Sequence, residues 1–164
     1  MQALPLSSYL TVFFTAMLPI WELKGAIPTG VMGLGMPLWT AFILAYLGSC
    51  IPSIFIIFFI EKVIKWLAKS KIKFFNKVAN WILGKVDKHH DKIEKYGYLG
   101  IFVFVAIPLP GTGVWTGSLL AAMMGLQPKK VIPIVFIGNL IAGIAMVGIT
   151  MLGGHMLDLD LSAV

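Results

Sequence analysis

Four long stretches without a charged side chain dominate this sequence of 164 residues. They cover residues 3–21, 25–60, 96–128 and 131–157, and hydrophobic residues make up 59% of the whole chain. Soluble domains are typically ~45–50% apolar with glycine included, and ~25% charged, whereas only 12% of this chain is charged. These figures exclude a soluble globular enzyme and a disordered chain. They predict an all-α integral membrane protein.

Two of the uncharged stretches predict simple membrane-spanning helices, at residues 38–60 and 131–157. They contain 23 and 27 residues. A helix of ~20 residues is long enough to cross the ~30 Å hydrocarbon core of a bilayer.

The other two stretches predict re-entrant helical hairpins, at residues 4–36 and 97–127. The first is interrupted at Glu22–Pro28 and the second at Pro108–Gly113. The piece before the second interruption, Tyr98–Ile107, has 10 residues and would rise only ~15 Å as a helix, half of a bilayer. Irregular backbone at that depth requires surrounding protein or a cavity.

The order of these elements repeats within one membrane domain, 1–164. A hairpin and a span fill residues 1–60, and a second hairpin and span fill residues 96–157, with a linker at 61–95 between them. Spacings recur faintly: Gly35, Pro37 and Gly48 correspond to Gly125, Pro128 and Gly138. One span per half makes the repeat inverted, which is typical of transporters with a midplane site between the hairpin tips.

The net charge of +6 lies in the linker. Residues 61–95 carry ten lysines and four acidic residues, and the charges elsewhere cancel. The positive-inside rule therefore predicts a cytoplasmic linker and two outward-facing termini, with no nucleic-acid partner. We expect basic amphipathic helices on the inner leaflet, either anchoring the topology or contacting lipid headgroups. The lysines proposed for headgroup contact are Lys62, Lys65, Lys69, Lys73 and Lys77.

A second feature of the linker is a group of residues on one helical face, Asp87, His90, Asp91 and Glu94. This spacing is compatible with a divalent cation. Acidic and basic residues at such spacings are more typical of a solvated helix surface, so we predict no metal site.

Glu22 and Lys24 are the only charged residues inside the apolar body. Intramembrane charges are costly and usually functional. Because burial disfavours the charged form, a carboxylate at a hairpin tip can take up and release a proton, and an ammonium can hold an anion. A structural ion pair that fixes the tip is the alternative.

The second interruption offers backbone groups instead. Pro108 and Pro110 favour an extended conformation, and Gly111 and Gly113 allow positive φ. We expect the N–H groups of Gly111, Thr112 and Gly113 to point inward at the start of a half-helix, an anion-binding arrangement. A tight turn of small residues is the alternative.

Three further residues complete the prediction for the site. Pro28 suits the first turn of its half-helix. Asn139, opposite Ser49 in the repeat register, and Thr116 can hydrogen-bond across helices, either to substrate or as contacts between helices.

A small-residue face formed by Gly138, Ala142 and Ala145 predicts close packing, with homodimerisation as one use. We find no nucleotide-binding loop, nucleophile motif or Cys/His cluster, so we predict neither an enzyme nor a cofactor.

Two segments of the sequence resemble the signatures of the small multi-drug export protein family, which is grouped with the DedA superfamily. They are residues 22–28, ELKGAIP, and residues 106–117, AIPLPGTGVWTG. The second is the more specific. The family usually has arginine at the position of Lys24, so a bidentate phosphate clamp is not expected there.

The resemblance covers the whole chain and implies two facing re-entrant hairpins and transport. DedA relatives are associated with moving undecaprenyl phosphate or phospholipids between leaflets, and with drug resistance that depends on the proton gradient. We therefore expect a proton-coupled transporter of an anionic lipid-linked phosphate. The alternatives are a proton-coupled multidrug exporter and a structural protein that organises lipids.

Overall fold

The computed structural model describes residues 4–69, 72–73, 76–77, 80, 90–109 and 111–156. These residues form helices and no strand. In chain order the helices are α1 (Leu6–Met17), α2 (Glu22–Pro28), which continues as a π-helical turn (Thr29–Gly33), α3 (Leu38–Ala68), α4 (His90–Ala106), α5 (Val114–Met123) and α6 (Pro128–Met156). The described part of the chain is therefore all-α, as predicted.

Two helices are long and apolar enough to cross a membrane. They are Leu38–Ile60 within α3 and Pro128–Met156, and only 39% of each apolar window is buried inside the protein. The core helix of a soluble protein would hide most of its apolar surface, but here Trp39 is 63% exposed and Ile144 57%. Large exposed apolar surfaces of this kind fit a lipid environment. These helices indicate a membrane protein.

The remaining helices are too short to cross. Helix α1 has 12 residues and α5 has 10, which correspond to ~18 and ~15 Å. Helix α4 has 17 residues, of which the apolar part is Tyr96–Ala106. The sequence predicted that this helix begins at Tyr98, but it begins eight residues earlier. It includes the polar segment 90–95, because the lysine and glutamate residues there favour a helix.

The first interruption lies earlier in the chain than predicted. Helix α1 ends at Met17, and Leu18 is extended with ψ 138° because the residue before a proline, here Pro19, avoids the helical region. Helix α2 then begins at Glu22. The break is therefore residues 18–21, which we call the first tip, and not Glu22–Pro28.

The charged linker is shorter than predicted. Helix α3 continues to Ala68, so Lys62 and Lys65 belong to the same helix as the span, and α4 already begins at His90. Most of the predicted amphipathic helices, including Trp81, lie outside the described residues.

The two halves of the chain share their cores. One cluster combines α1, α2 and α3 with Met146 and Val147 of α6. The other combines α4, α5 and α6 with Ile57 of α3. Each long helix therefore packs against the first helix of its own half and also contributes to the core of the other half.

Equivalent glycines bring each long helix onto its partner. Gly48 of α3 lies against the backbone of Phe13 in α1, and Gly138 of α6 lies against Phe102 in α4, where an added Cβ would be 3.1 Å from the carbonyl oxygen. Two further equivalent glycines precede the long helices: Gly35 has φ +62° and Gly125 has φ +68°. In each pair the two glycines are 90 positions apart in the chain.

This packing predicts the effect of Gly48→Ala. The new Cβ would overlap the Phe13 carbonyl oxygen, and overpacking of this kind typically costs ~1–3 kcal/mol. Gly148→Ala is the matched control, because nothing lies within 4 Å of a Cβ there and alanine favours a helix by up to ~1 kcal/mol. Denaturant unfolding in detergent should show a loss only for Gly48→Ala; equal stabilities would contradict this close approach.

The predicted dimerisation face is used inside the chain. Gly138 packs against α4, and Ala142 is 1% exposed. Both residues are therefore buried within the chain, whereas Ala145, the third residue of the predicted face, is half-buried. The homodimer stays a prediction.

Candidate functional site

The site lies where α2, the helix after the first interruption, meets the second interruption of the chain. The first tip is residues 18–21, and the second tip is residues 107–113, which connects α4 to α5. We call the place where α2 meets the second tip and the start of α5 the seam. It is defined by five residues from both halves of the chain: Glu22, Lys24, Thr112, Gly113 and Trp115.

The Glu22 carboxylate occupies the start of α5. Glu22 is 4% exposed, and its Oε1 accepts a hydrogen bond of 3.0 Å from the backbone N–H of Trp115. That N–H is one of the free donors in the first turn of a helix, where the helix dipole also favours an anion. The carboxylate therefore caps a helix that belongs to the other half of the chain.

Glu22 also has an uncommon backbone conformation. Its φ is +45°, the only positive φ among the non-glycine residues that the structure describes. Such a conformation costs ~1–3 kcal/mol and persists only where surrounding contacts hold it. It occurs at the first residue of α2, directly after the first tip.

Lys24 reaches across the seam to backbone carbonyls. Its Nζ donates to the carbonyl oxygen of Leu109 at 2.9 Å and to that of Thr112, and it lies 3.6 Å from Oε2 of Glu22. The ammonium therefore joins the first half to the second tip and partly neutralises the carboxylate.

The Thr112 side chain shapes the second tip. Its single hydroxyl hydrogen can be donated to the carbonyl oxygen of Ile107, at 2.7 Å, or to that of Leu109, at 2.9 Å, and its oxygen accepts the Leu109 N–H. The Thr112 N–H donates to the Leu109 carbonyl at 3.3 Å. The prediction that this N–H points inward is therefore wrong, because the turn itself uses it.

Gly113 leaves space for the carboxylate. It precedes α5 with φ +147°, and a Cβ at this position would overlap the Glu22 carboxylate. Gly111, with φ +83°, has open space around it. Pro108 is half-buried in the same tip, and Pro110 lies outside the described residues.

Sequence reasoning missed Trp115 as a residue of the site. Besides its backbone bond to Glu22, its indole Nε1–H donates to the carbonyl oxygen of Met17 at 3.1 Å, at the end of α1. A tryptophan in an apolar helix next to a glycine-rich turn is a detectable signal, but its partners are 93 and 98 residues away.

The prediction for Pro28 is wrong. It lies at the last position of α2, not in the first turn of a half-helix. Proline has no N–H, so it cannot bond the carbonyl four residues earlier, and the wider π-helical turn follows at once. Thr116 lies in the first turn of α5 and is half-buried.

A buried polar contact joins the two long helices. Asn139 Nδ2 donates to Ser49 Oγ at 2.8 Å and lies 3.7 Å from Cys50 Sγ, so Asn139 contacts the residue that the repeat register placed opposite it. In α5 the Ser118 hydroxyl is fully buried with no hydrogen-bond partner among the described residues.

The lysines proposed for headgroup contact lie away from the seam. Lys62 is over the ring of Phe59, 5.5 Å from its centroid, and Lys65 follows in α3. Lys69, Lys73 and Lys77 follow α3 in the chain.

No group of three or more side chains that could hold a metal ion occurs in the part of the chain that the structure describes. Asp87 lies outside it, and the other three residues of the acidic face, His90, Asp91 and Glu94, lie in the first turns of α4.

One of three comparisons with known proteins finds a match. The model of the family described as "Putative small multi-drug export protein" matches residues 22–145, which is more than half of the chain and includes all five seam residues. Neither a curated protein nor a solved structure matches the sequence. The relation to the DedA superfamily stays a prediction. On the strength of the family match, the chain belongs to the small multi-drug export protein family.

Proposed function

We propose that this protein is a proton-linked membrane transporter of an amphiphilic anion, such as a lipid-linked phosphate. The observation that carries the proposal is the pair of donors around one carboxylate: the Trp115 N–H at 3.0 Å and the Lys24 ammonium at 3.6 Å. If Glu22 takes up a proton, both donors lose their anionic partner. A phosphate group suits the same donors, because an ammonium and a helix N-terminus both favour anions.

The proposal includes two re-entrant helix pairs in an inverted repeat. Support comes from the half-bilayer lengths of α1 and α5 and from the equivalent glycine pairs 35/125 and 48/138. In such a repeat the two tips meet near the midplane. A substrate headgroup would pass through the seam while its hydrocarbon chain stays in the lipid.

The lysine-rich linker completes the proposed topology. With the linker cytoplasmic, its lysines lie at the inner leaflet, where basic residues attract anionic headgroups by ~1 kcal/mol each. Both termini then face outward. A homodimer remains part of the proposal, with contacts supplied by the exposed apolar surface rather than by the buried Gly138 and Ala142.

The proposal can be tested with purified protein in liposomes and headgroup-labelled polyprenyl phosphate as the probe. We expect wild-type protein to move the probe when a pH gradient is applied. Glu22→Gln should still bind the probe but lose its response to the gradient, because it has no proton to exchange. Lys24→Gln should lose binding. Glu61→Gln, which removes the same charge elsewhere, is the control.

Binding of the probe by Lys24→Gln at the wild-type level would contradict the proposal. So would wild-type liposomes that move no more probe than protein-free ones. Both variants are first shown to be monodisperse, so that loss of binding is not loss of fold.

The second candidate is a proton-coupled exporter of cationic drugs, and the family description favours it. In that case a drug cation replaces Lys24 beside the Glu22 carboxylate. Glu22→Gln would then abolish binding of a fluorescent cationic dye, whereas Lys24→Gln would leave it unchanged or tighter. The same two variants therefore give opposite results for the two candidates.

A further inference from the structure

Three polar contacts hold the two halves together at the seam. The Trp115 N–H bonds the Glu22 carboxylate, Lys24 bonds the carbonyls of Leu109 and Thr112, and the Trp115 indole bonds the carbonyl of Met17. Every one of these contacts joins a residue before α3 to a residue after α4. The end of α1 and the first turn of α2 are thus held against the second tip and the start of α5.

The charge of Glu22 strengthens this closure. Hydrogen bonds to a charged group are roughly twice as strong as those between neutral groups, and the dipole of α5 attracts an anion at its start. Uptake of a proton removes both effects from the Trp115 contact and also removes the attraction to Lys24. Closure is therefore weakest when Glu22 is neutral.

The backbone conformation of Glu22 also favours opening of the seam. The φ of +45° at Glu22 is a strained conformation for a residue with a side chain, and the contacts of the seam hold it. When the carboxylate no longer caps α5, α2 can move and relieve that strain. The strain therefore favours an open seam once Glu22 is protonated.

Lys24 is the one other charged group at this place among the described residues. Helix α1 carries no charge, α3 carries charges only from Glu61 onward, α5 carries none, and α6 carries Lys129 and Lys130 at its start and His155 near its end. Tyr9, Tyr46 and Cys50 are the neutral titratable groups of the helices packed against α2. Lys24 would thus remain as an uncompensated cation in an open seam.

We infer that ionised Glu22 keeps the seam closed, that its protonation opens the seam, and that the anion then enters by pairing with Lys24. The last step rests on the proposed function, whereas opening does not. The order of events is fixed by charge: the proton comes first, because the ionised carboxylate occupies the donors that the anion requires. Release of the proton would expel the anion by restoring the same competition.

A cysteine reporter tests the opening step without any substrate. The chain has one cysteine, Cys50, which is buried, so Cys50→Ser gives a clean background. Val114→Cys is the reporter, since Val114 is fully buried beside Gly113 and Trp115. At pH 7.5 a water-soluble maleimide should label it slowly when Glu22 is present.

In Glu22→Gln we expect labelling to be roughly tenfold to a hundredfold faster, the range that loss of a charge-assisted hydrogen bond allows. Glu22→Asp should also be faster, because its shorter side chain keeps the charge but does not reach the Trp115 N–H. Glu61→Gln should label like the parent. Rates are divided by those of Gln127→Cys, an exposed position, to correct for reagent and pH.

Equal corrected rates in the parent, Glu22→Gln and Glu22→Asp would overturn the inference, as would fast labelling in all of them. In the parent, the corrected rate should rise as pH falls, and in Glu22→Gln it should not change. If labelling behaves as expected and polyprenyl phosphate is not bound, the proposed substrate is wrong and the charge-controlled seam stands. Thermal unfolding of each variant establishes that labelling reports the seam and not global unfolding.

Discussion

Gly113→Ala should abolish transport and lower the free energy of unfolding by about 3 kcal/mol. A Cβ at this position would overlap the Glu22 carboxylate, so the carboxylate has to leave the Trp115 N–H. Loss of a hydrogen bond to a charged group contributes ~1.5–3 kcal/mol, and the backbone of Gly113, with φ +147° and ψ −163°, is in a region that is essentially restricted to glycine, which adds ~1–3 kcal/mol for a residue with a side chain. Denaturant unfolding and the liposome assay measure the two effects.

Gly111→Ala is the matched control for this prediction. Gly111 also has a positive φ, +83°, but nothing lies within 4 Å of a Cβ there. It should lose only the ~1–2 kcal/mol of backbone strain and keep its transport. If the two alanine variants were equally stable and equally active, the close approach of Glu22 to the second tip would not matter.

Lys24→Met should destabilise the protein by ~3–5 kcal/mol, the usual effect of removing one partner of a buried pair. Lys24 is 16% exposed on its side chain, and its loss leaves the carboxylate without a cation. The carbonyls of Leu109 and Thr112 also lose their donor. We expect a lower unfolding midpoint in detergent, measured at a pH where Glu22 is ionised.

The double variant Glu22→Gln/Lys24→Met separates the contribution of charge to stability from that of packing. With both charges gone, no uncompensated ion remains, so most of the stability lost in Lys24→Met should return. Lys24→Arg keeps the charge and should stay close to wild type. Additive losses in the double variant would show that the two charges do not act as a pair.

Much of the fold could be predicted from the sequence, because the strongest signals in this sequence are local. The uncharged stretch predicted a membrane-spanning helix at residues 38–60, and the same range is the apolar part of α3. The run of prolines and glycines at 108–113 lies between α4 and α5 as expected. The prediction of the first interruption at Glu22–Pro28 is wrong because it rests on the charged motif, whereas the helix ends where Pro19 keeps Leu18 out of the helical region.

The charged side chains of the site could be predicted from the sequence, but their backbone partners could not, for a physical reason. Glu22 and Lys24 stand out because charge is costly in an apolar chain. Their partners are backbone groups of Trp115, Leu109 and Thr112, and a backbone N–H or carbonyl is the same in every residue. Which one is used depends on how distant helices pack, and no local pattern records that.

The shared cores have a consequence for how the protein enters the membrane during its synthesis. The Trp115 amide is made 93 residues after Glu22, and domains generally form from the N-terminus onward. Until α5 is made, the Glu22 carboxylate lacks the backbone donor of Trp115, and Met146 and Val147 are absent from the first core. We therefore expect α2 to lack part of its packing while only the first half exists. We expect the first half, made alone, to be less resistant to protease than the same residues in the complete chain, because its core is completed only by the last helix.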